Sequence, residues 1–198
     1  MTNQIKIALT GSIGMGKSTT LKLFKEEGVF VWSADEVVHK LYSKGGLAVA
    51  KVAKLMPSCI VDGLISRDCL KNKIKKNQSI LTLLENIINP YLASDRLNFL
   101  RNNFDKKVLV FDLPLLFENN LENNFDIILV VSTTKAEQKK RLMARGAIDE
   151  EFLQIINSKQ ISDKEKRKLG HHIFETTTLE QTKQDVKNLL KEIGYFDA

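Results

Sequence analysis

The chain has 198 residues, of which 43% are hydrophobic and 27% charged, a composition that suits one globular domain with a buried core and small insertions. A formal net charge of +6 favours nucleic acid, phospholipid or a polyphosphate small molecule as partner, although charge that only solvates the surface is the commoner reason. The longest apolar run, 127–131, is far shorter than the roughly 20 residues of a membrane helix, and no secretion signal precedes the first strand, so we expect a soluble, cytoplasmic protein.

Strand-like and helical segments alternate along the chain. The predicted strands cover 5–9, 29–32, 108–111 and 127–131, with a weaker candidate at 172–174. The runs 108–111 and 127–131 are apolar throughout, as in parallel strands that helices cover on both faces. Between 45 and 103 the pattern is helical, with no strand-like run. The sequence therefore predicts a three-layer α/β/α fold with a parallel sheet and a helical insertion.

The predicted helix ends carry recognisable residues. Four pairs have capping-box spacing, in which Ser or Thr is followed three residues later by Glu or Gln: Ser33 and Glu36, Thr134 and Glu137, Ser162 and Glu165, Thr178 and Gln181. Gly28 and Gly194 stand where the C-termini of helices need a residue that tolerates positive φ. The two cysteines, Cys59 and Cys69, are ten residues apart without a metal-binding spacing, and we expect them to be free thiols.

Residues 11–18 read G-S-I-G-M-G-K-S, which matches the phosphate-binding loop G-x-x-x-x-G-K-[ST]. The loop follows the first predicted strand and opens a helix predicted over 17–27, which is the context that the motif requires. Backbone N–H groups of such a loop surround phosphates, its lysine reaches the β- and γ-phosphates, and its final hydroxyl binds Mg²⁺. The sequence therefore predicts an ATP and Mg²⁺ site formed by Gly11, Gly14, Met15, Gly16, Lys17, Ser18 and Thr19.

Asp112 ends the third predicted strand, where a carboxylate beside a phosphate loop helps to hold Mg²⁺; a simple helix cap is the alternative. Neither an N-K-x-D guanine-recognition motif after the fourth strand nor an L-S-G-G-Q signature is present. These features favour a small-molecule kinase over a nucleotide-dependent switch protein or motor protein.

Further motifs occur in a fixed order. They are L-T-G-S-I-G-M-G-K-S-T at 9–19, S-A-D-E-V-V-H at 33–39, Asp62-Gly63 with Arg67, L-E-N-I-I-N-P at 84–90, D-L-P-L-L-F-E at 112–118, and Arg141 through Arg145. From about residue 5 to residue 193 this order resembles the dephospho-coenzyme A kinase family. The resemblance implies transfer of the ATP γ-phosphate to the 3′-hydroxyl of the adenosine ribose of dephospho-coenzyme A. It also implies a core (1–44, 104–140 and 161–198), a coenzyme A-binding helical insertion (45–103) and a lid (141–160).

The resemblance also implies roles for individual residues. Asp35 is the expected general base, although a carboxylate in the first turn of a helix is favourable without any catalytic role. Arg141 and Arg145, four residues apart on one helix face, are expected to neutralise the transferred phosphoryl group with Lys17; a solvated basic face is the alternative. The implied acceptor site contains Asp35, Asp112, Leu115, Leu116, Phe117 and Glu118, although Leu115 and Leu116 could equally pack in the core.

Several positions depart from the family pattern. Ser33 replaces the usual Asp, Asn89 replaces His, Gly170-His171 replaces Ala-Asp and Lys159 replaces Arg, which affects substrate positioning more than the class of reaction. A lysine run at 71, 73, 75 and 76 could meet the acceptor's pyrophosphate, although a solvated helix face is the commoner case. Trp32 is expected in the core. The rivals are another small-metabolite kinase and a nucleic acid-binding switch; we expect no nucleic acid or membrane partner, and a monomer or weak homo-oligomer.

Overall fold

The computed structural model describes residues 4–144 and 149–196. The chain begins with β1 (Ile5–Thr10), α1 (Lys17–Glu26), β2 (Phe30–Ser33) and α2 (Ala34–Tyr42). It continues with α3 (Val49–Leu55), a 3₁₀ turn (Pro57–Cys59), β3 (Ile60–Val61), β4 (Leu64–Ile65), α4 (Arg67–Lys76) and α5 (Ser79–Asn102). The last part contains β5 (Val108–Asp112), a 3₁₀ turn (Glu122–Asn124), β6 (Ile127–Ser132), α6 (Lys135–Ala144), α7 (Glu150–Ser158), α8 (Asp163–Leu169), β7 (His172–Glu175) and α9 (Leu179–Glu192).

The main sheet of the described residues has five parallel strands in the order β2-β5-β1-β6-β7. All five predicted strands belong to it, including the weaker one at 172–174. His171 extends the last pair of strands, because its Nδ1 accepts a hydrogen bond from the Ile128 N–H at 3.2 Å and its own N–H donates to the Ile128 carbonyl at 2.8 Å. A parallel sheet in this order places the carboxyl ends of its strands at one edge, where ligands bind in such folds.

Helices cover the sheet in the predicted three layers. On one face, Ile7, Leu9 and Val131 pack against buried residues of α1 and α9, including Phe24 and Leu190. The alternate strand residues Ala8, Leu109, Phe111 and Val130 point to the opposite face and are equally inaccessible. There the ring of Phe111 contacts Trp32 and Phe125, which confirms Trp32 as a core residue, and α8 packs against β6.

The predicted helix ends are largely observed. Ser162 and Glu165 form a complete capping box, and the hydroxyls of Thr134 and Thr178 accept from the N–H groups of Glu137 and Gln181. Gly28 and Gly194 have φ values of 81° and 68°, as expected of glycines that end helices. None of the helices in residues 4–144 and 149–196 is long and apolar enough to cross a lipid bilayer.

Contacts divide the described residues into two compact units. The first comprises Met1–Ser33, Asn103–Ile148 and Asn157–Ala198, and the second comprises Ala34–Asn102 and Asp149–Ile156. Within the second unit, α2, α3 and α4 all contact the long helix α5. The predicted insertion, 45–103, falls almost entirely in this unit, together with part of the predicted lid. The domain boundaries themselves stay a prediction.

The expectation that 45–103 contains no strand is wrong in one place. β3 and β4 form a short antiparallel hairpin, and its turn is Asp62-Gly63, both with positive φ. Asp-Gly is a favoured pair in such two-residue turns. The strands are only two residues long, so they leave no periodic signal in the sequence.

The expectation of free thiols is also wrong. Cys59 ends the 3₁₀ turn, Cys69 lies in the first turn of α4, and the two form a disulfide with a Cα–Cα distance of 5.3 Å. The hairpin reverses the chain between them and brings the two cysteines together. Sequence spacing carries no information about such a reversal, so composition and presumed compartment alone suggested thiols.

The disulfide predicts a measurable stability difference. Replacing Cys69 by Ser is expected to lower the free energy of unfolding by about 2–3 kcal/mol, because the crosslink closes a short loop and restricts the unfolded chain. Urea unfolding of the wild type and of Cys69→Ser, each with and without dithiothreitol, measures this difference. The reductant should destabilise the wild type only. Two titratable thiols in the unreduced wild type would contradict the crosslink.

Candidate active site

The phosphate loop lies close to β6 and to the segment that follows β7. Gly11 and Gly16 have φ values of 151° and 95°. A Cβ at Gly11 would lie 2.5 Å from the Val131 carbonyl oxygen, and one at Gly16 would lie 2.8 Å from the Thr176 Oγ1. Any side chain at either position would therefore displace the loop from the strand ends, which explains the glycines by close approach as well as by backbone conformation.

Lys17 lies in the first turn of α1, directly after Gly16. Its Nζ donates to the carbonyl oxygens of Gly11 at 2.5 Å and Ser12 at 3.2 Å, so the ammonium lies against the loop. The side chains of Ser18 and Thr19 are exposed. Because the N-terminus of a helix carries partial positive charge and N–H groups without helical partners, this arrangement is suited to bind phosphate.

Asp112 lies at the carboxyl end of β5, between the strand that leads into the phosphate loop and β2. It is level with Leu9 on one side and Ser33 on the other, and it is 3% exposed. The Ser33 hydroxyl donates to the Asp112 Oδ2 at 3.1 Å. The serine that stands where the family usually has a carboxylate thus gives Asp112 a neutral donor instead of a second negative charge.

The segment 113–119, which contains all of the motif at 112–118 except Asp112, is held by a buried ion pair. The Lys166 Nζ lies 3.0 Å from the Glu118 Oε1 and donates to the Pro114 carbonyl at 3.2 Å, and Lys166 is completely inaccessible. The Glu118 Oε1 also accepts from the Ile161 N–H at 2.9 Å. Glu118 therefore has structural partners, while its contact with an acceptor stays a prediction.

The neighbouring apolar residues of this segment differ in exposure. Leu116 is 0% exposed, which favours its core-packing alternative over contact with a substrate. Leu115 and Phe117 are half-buried, so parts of both side chains are accessible to a ligand. Their role in the acceptor site stays a prediction.

Arg141 is fixed by three contacts. Its Nε donates to the Glu137 Oε1 at 3.0 Å, its Nη1 donates to the Thr176 Oγ1 at 3.0 Å, and its Nη2 donates to the Thr176 carbonyl oxygen. Thr176 Oγ1 in turn lies 2.8 Å from the carbonyl oxygen of Met15 in the phosphate loop. The structure thus links Arg141 to the predicted ATP site through a residue that sequence reasoning missed.

A cavity of about 400 Å³ lies beside the phosphate loop. It is lined by Gly16, Thr19, Arg141, Ala144, Thr176, Thr178, Leu179 and Thr182. The Leu179 side chain is 63% exposed and offers an apolar surface there. The lining residues Thr176, Thr178, Leu179 and Thr182 were not predicted at the site. Their signal was the position of the connection from the last strand into the last helix, which in a parallel sheet begins at the same edge as the phosphate loop.

Other predicted residues belong to the second unit or lie outside the described residues. Asp35 lies in the first turn of α2, next to Glu36, and is exposed; it belongs to the second unit. Arg145 lies outside the described residues, so the predicted pairing of Arg141 and Arg145 on one helix face stays untested. Of the predicted lid, 150–158 forms α7.

Two lysines of the run on α4, Lys71 and Lys75, face carboxylates within the second unit. Lys75 Nζ lies 3.0 Å from the Asp149 Oδ2 and 2.7 Å from the Glu151 Oε2, and Lys71 Nζ lies 3.4 Å from the Asp149 Oδ2. The Phe152 backbone N–H and then Lys75 hold the pKa of Asp149 at about 2. These contacts favour a structural role for Lys71 and Lys75. Asn89 and Lys159, where the chain departs from the family, are exposed.

The parallel sheet, the phosphate loop after β1, the aspartate that ends β5 and the arginine on the helix after β6 define a kinase of the phosphate-loop class. A family model described as dephospho-CoA kinase matches residues 5–181. The chain therefore belongs to the dephospho-CoA kinase family, as the sequence motifs implied, and it is an ATP-dependent kinase.

Individual relatives agree with this assignment. The chain is 42% identical to a dephospho-CoA kinase of Jannaschia sp. (strain CCS1) over 187 residues, which are 94% of this chain and 96% of the relative. Among solved structures, TT1252 from Thermus thermophilus has a TM-score of 0.80 and 27% identity, with 96% of this chain and 98% of that chain covered. The dephospho-CoA kinase from Campylobacter jejuni has a TM-score of 0.65 at 23% identity over 96% of this chain and 97% of that chain, and shows the fold alone.

Proposed function

We propose that the chain transfers the γ-phosphate of ATP to the 3′-hydroxyl of dephospho-coenzyme A, which gives coenzyme A and ADP and is the last step of coenzyme A synthesis. The observation that carries this proposal is the match of residues 5–181 to the dephospho-CoA kinase family. The intact phosphate loop and the adjoining cavity support it, since together they offer a place for the nucleotide.

ATP is proposed to bind with its phosphates in the loop and its adenosine in the 400 Å³ cavity. The loop supplies backbone N–H groups, the Lys17 ammonium and the N-terminus of α1 to the triphosphate. The exposed Leu179 and the small side chain of Ala144 line the cavity and can contact the faces of a purine ring. The base is thus proposed to be held mainly by shape and apolar contact.

Mg²⁺ is proposed to be held by the Ser18 hydroxyl, with Asp112 ordering its water ligands. The donors fit this ion, because Mg²⁺ prefers oxygen ligands and keeps several waters when it binds nucleotide phosphates. Ser18 is exposed directly after the loop lysine, and Asp112 ends the strand that neighbours the loop's own strand. A Mg²⁺ ion bound there would neutralise negative charge on the β- and γ-phosphates.

Asp35 is proposed to accept the proton of the 3′-hydroxyl as that oxygen attacks the γ-phosphorus. The new O–P bond forms while the bond to the bridging oxygen breaks, and ADP leaves with that electron pair. Asp35 is exposed in the first turn of α2, so its carboxylate is accessible. Leu115, Phe117 and Glu118 are proposed to contact the acceptor, as the family motif implies.

Arg141 and Arg145 are proposed to neutralise the transferred phosphoryl group, in the manner of the arginines of other phosphoryl-transfer enzymes. For Arg141 the support is its position on the cavity wall and its link to the phosphate loop through Thr176. For Arg145 the support is its sequence position alone. Residues 141–160 are proposed to act as the lid over the nucleotide.

An acceptor screen tests the proposed function. The purified protein is incubated with Mg²⁺-ATP and, separately, dephospho-coenzyme A, adenosine, nucleoside monophosphates or shikimate, and ADP release is measured together with the mass of the product. We expect ADP release with dephospho-coenzyme A only, and a product heavier by one phosphoryl group.

A Lys17→Met variant controls for contaminating kinases, because it loses the cation that contacts the transferred phosphate. The matched variant Lys22→Met removes an exposed lysine from the same helix and should behave as the wild type. Phosphorylation of another acceptor at a higher kcat/KM would overturn the proposal. Nucleic acid binding that weakens steeply with salt, without acceptor-stimulated ADP release, would favour the alternative of a nucleic acid-binding switch protein.

A further inference from the structure

We propose that Thr176 is a positioning residue whose side-chain hydroxyl connects the Arg141 guanidinium to the phosphate loop. The inference rests on the proposed function, because it takes Arg141 to act on the phosphates of ATP. Thr176 follows β7 and is 4% exposed. It lies 35 residues from Arg141 and 161 from Met15 in the sequence, and it connects the two in the fold.

The hydrogen bonds at Thr176 have a defined direction. Its backbone N–H donates to the Ser132 carbonyl oxygen at 2.9 Å, which fixes the residue at the end of β6. Its Oγ1 accepts a hydrogen bond from the Arg141 Nη1 at 3.0 Å. The same Oγ1 lies 2.8 Å from the Met15 carbonyl oxygen and 3.2 Å from the Ser132 carbonyl oxygen. Arginine can only donate, so the single hydroxyl proton is left for a carbonyl, and the Met15 oxygen is the nearer one. Arg141, Thr176 and Met15 therefore form one chain of hydrogen bonds.

Close packing at Gly16 strengthens this connection. A Cβ at Gly16 would lie 2.8 Å from the Thr176 Oγ1 and 3.2 Å from its Cγ2. The threonine thus occupies the space beside the loop backbone that a side chain at Gly16 would need, and its hydroxyl contacts the Met15 carbonyl oxygen of the loop. A displacement of Thr176 would therefore change the positions of both the loop and Arg141.

The Arg141 guanidinium is held by contacts within the protein. The Arg141 Nε donates a hydrogen bond to the Glu137 carboxylate. Its Nη1 donates to the Thr176 hydroxyl, and its Nη2 donates to the Thr176 carbonyl oxygen. Three of its five N–H groups are thereby oriented, and the side chain lines the cavity. Since preorganised donors act on developing charge without reorganisation during the reaction, removing the Thr176 hydroxyl should reduce catalysis although every charged group remains in place.

The test compares Thr176→Val, which keeps the shape and removes the hydroxyl, with Thr176→Ser, which keeps the hydroxyl. We expect Thr176→Val to lower kcat/KM for ATP by roughly tenfold or more, as for the loss of a hydrogen bond to a charged group. Thr176→Ser should stay close to the wild type, and the KM for dephospho-coenzyme A should not change. Thr177→Val, an exposed neighbour, is the matched control and should be fully active.

A double-mutant cycle with Arg141→Met separates positioning from a general loss of structure. If Thr176 acts through Arg141, Thr176→Val should have little further effect in the Arg141→Met background, because interacting residues are not additive. An equal loss in both backgrounds, or wild-type kinetics of Thr176→Val, would overturn the inference. Thermal unfolding identifies variants that fail to fold. If Thr176→Val is one of them, the kinetics of Thr176→Ser decide whether the hydroxyl is sufficient for positioning.

The same cycle is also measured on the binding of a non-hydrolysable ATP analogue by calorimetry. If the wild type phosphorylates no dephospho-coenzyme A, the proposed function fails. The coupling between Thr176 and Arg141 in analogue binding then supports or overturns the inference independently.

Discussion

Replacement of Asp35 by Asn is expected to lower turnover by about 10²–10⁴-fold, the range for loss of a general base, while the affinity for ATP changes little. Asparagine has the same shape and can still accept a hydrogen bond from the ribose hydroxyl, but it cannot take up the proton. Steady-state kinetics with dephospho-coenzyme A give the turnover, and calorimetric titration with ATP gives the affinity.

The neighbouring residue provides the control for this variant. Glu36 lies in the same first turn of α2, so Glu36→Gln removes the same charge from the same helix end. If the carboxylate at position 35 served only to interact favourably with the helix dipole, both variants would lose a few tenths to about 1 kcal/mol of stability and both would stay active. Near-normal turnover of Asp35→Asn would remove the assignment of the base.

Replacement of Lys166 by Met is expected to lower the free energy of unfolding by about 3–5 kcal/mol, the cost of removing one partner of a buried ion pair. Lys166 is fully buried and Glu118 is 12% exposed, so the variant leaves a carboxylate with little access to water. The Pro114 carbonyl also loses its donor. Urea unfolding followed by circular dichroism measures the loss.

Two further variants separate the ion pair from helix effects. Lys164→Met removes an exposed lysine from the same helix and should change stability by less than about 0.5 kcal/mol. The double variant Lys166→Met/Glu118→Gln should recover part of the loss, because no uncompensated charge stays buried. A single variant as stable as the wild type would show that the pair does not hold segment 113–119 in place.

Local patterns predicted most of the first unit. Apolar runs identified all five strands of the sheet, and the spacing of Ser162 and Glu165 identified a helix start that has the complete capping geometry. The phosphate loop is contiguous, so roles for its glycines, Lys17 and Ser18 could be predicted without knowledge of the fold. Such signals depend on neighbours within about one turn of helix, and the sequence contains them directly.

The errors share one cause. The disulfide between Cys59 and Cys69 depends on a hairpin whose strands are too short to leave a pattern. The ion pair of Glu118 depends on Lys166 of α8, which lies 52 positions from Pro114 of the same segment. Pairings of this kind are set by which elements pack together, and no local spacing encodes them.

The phosphate loop at 11–18, the aspartate that ends β5 and the motif at 112–118 were therefore determined by the sequence itself; they predicted the nucleotide site and identified the family. Only the tertiary structure placed Thr176 between Arg141 and Met15 and formed the cavity beside them. The physical reason is that a hydrogen bond acts over about 3 Å, whereas the residues that share it here lie 35 and 161 positions apart. The parallel sheet brings their strand ends to one edge.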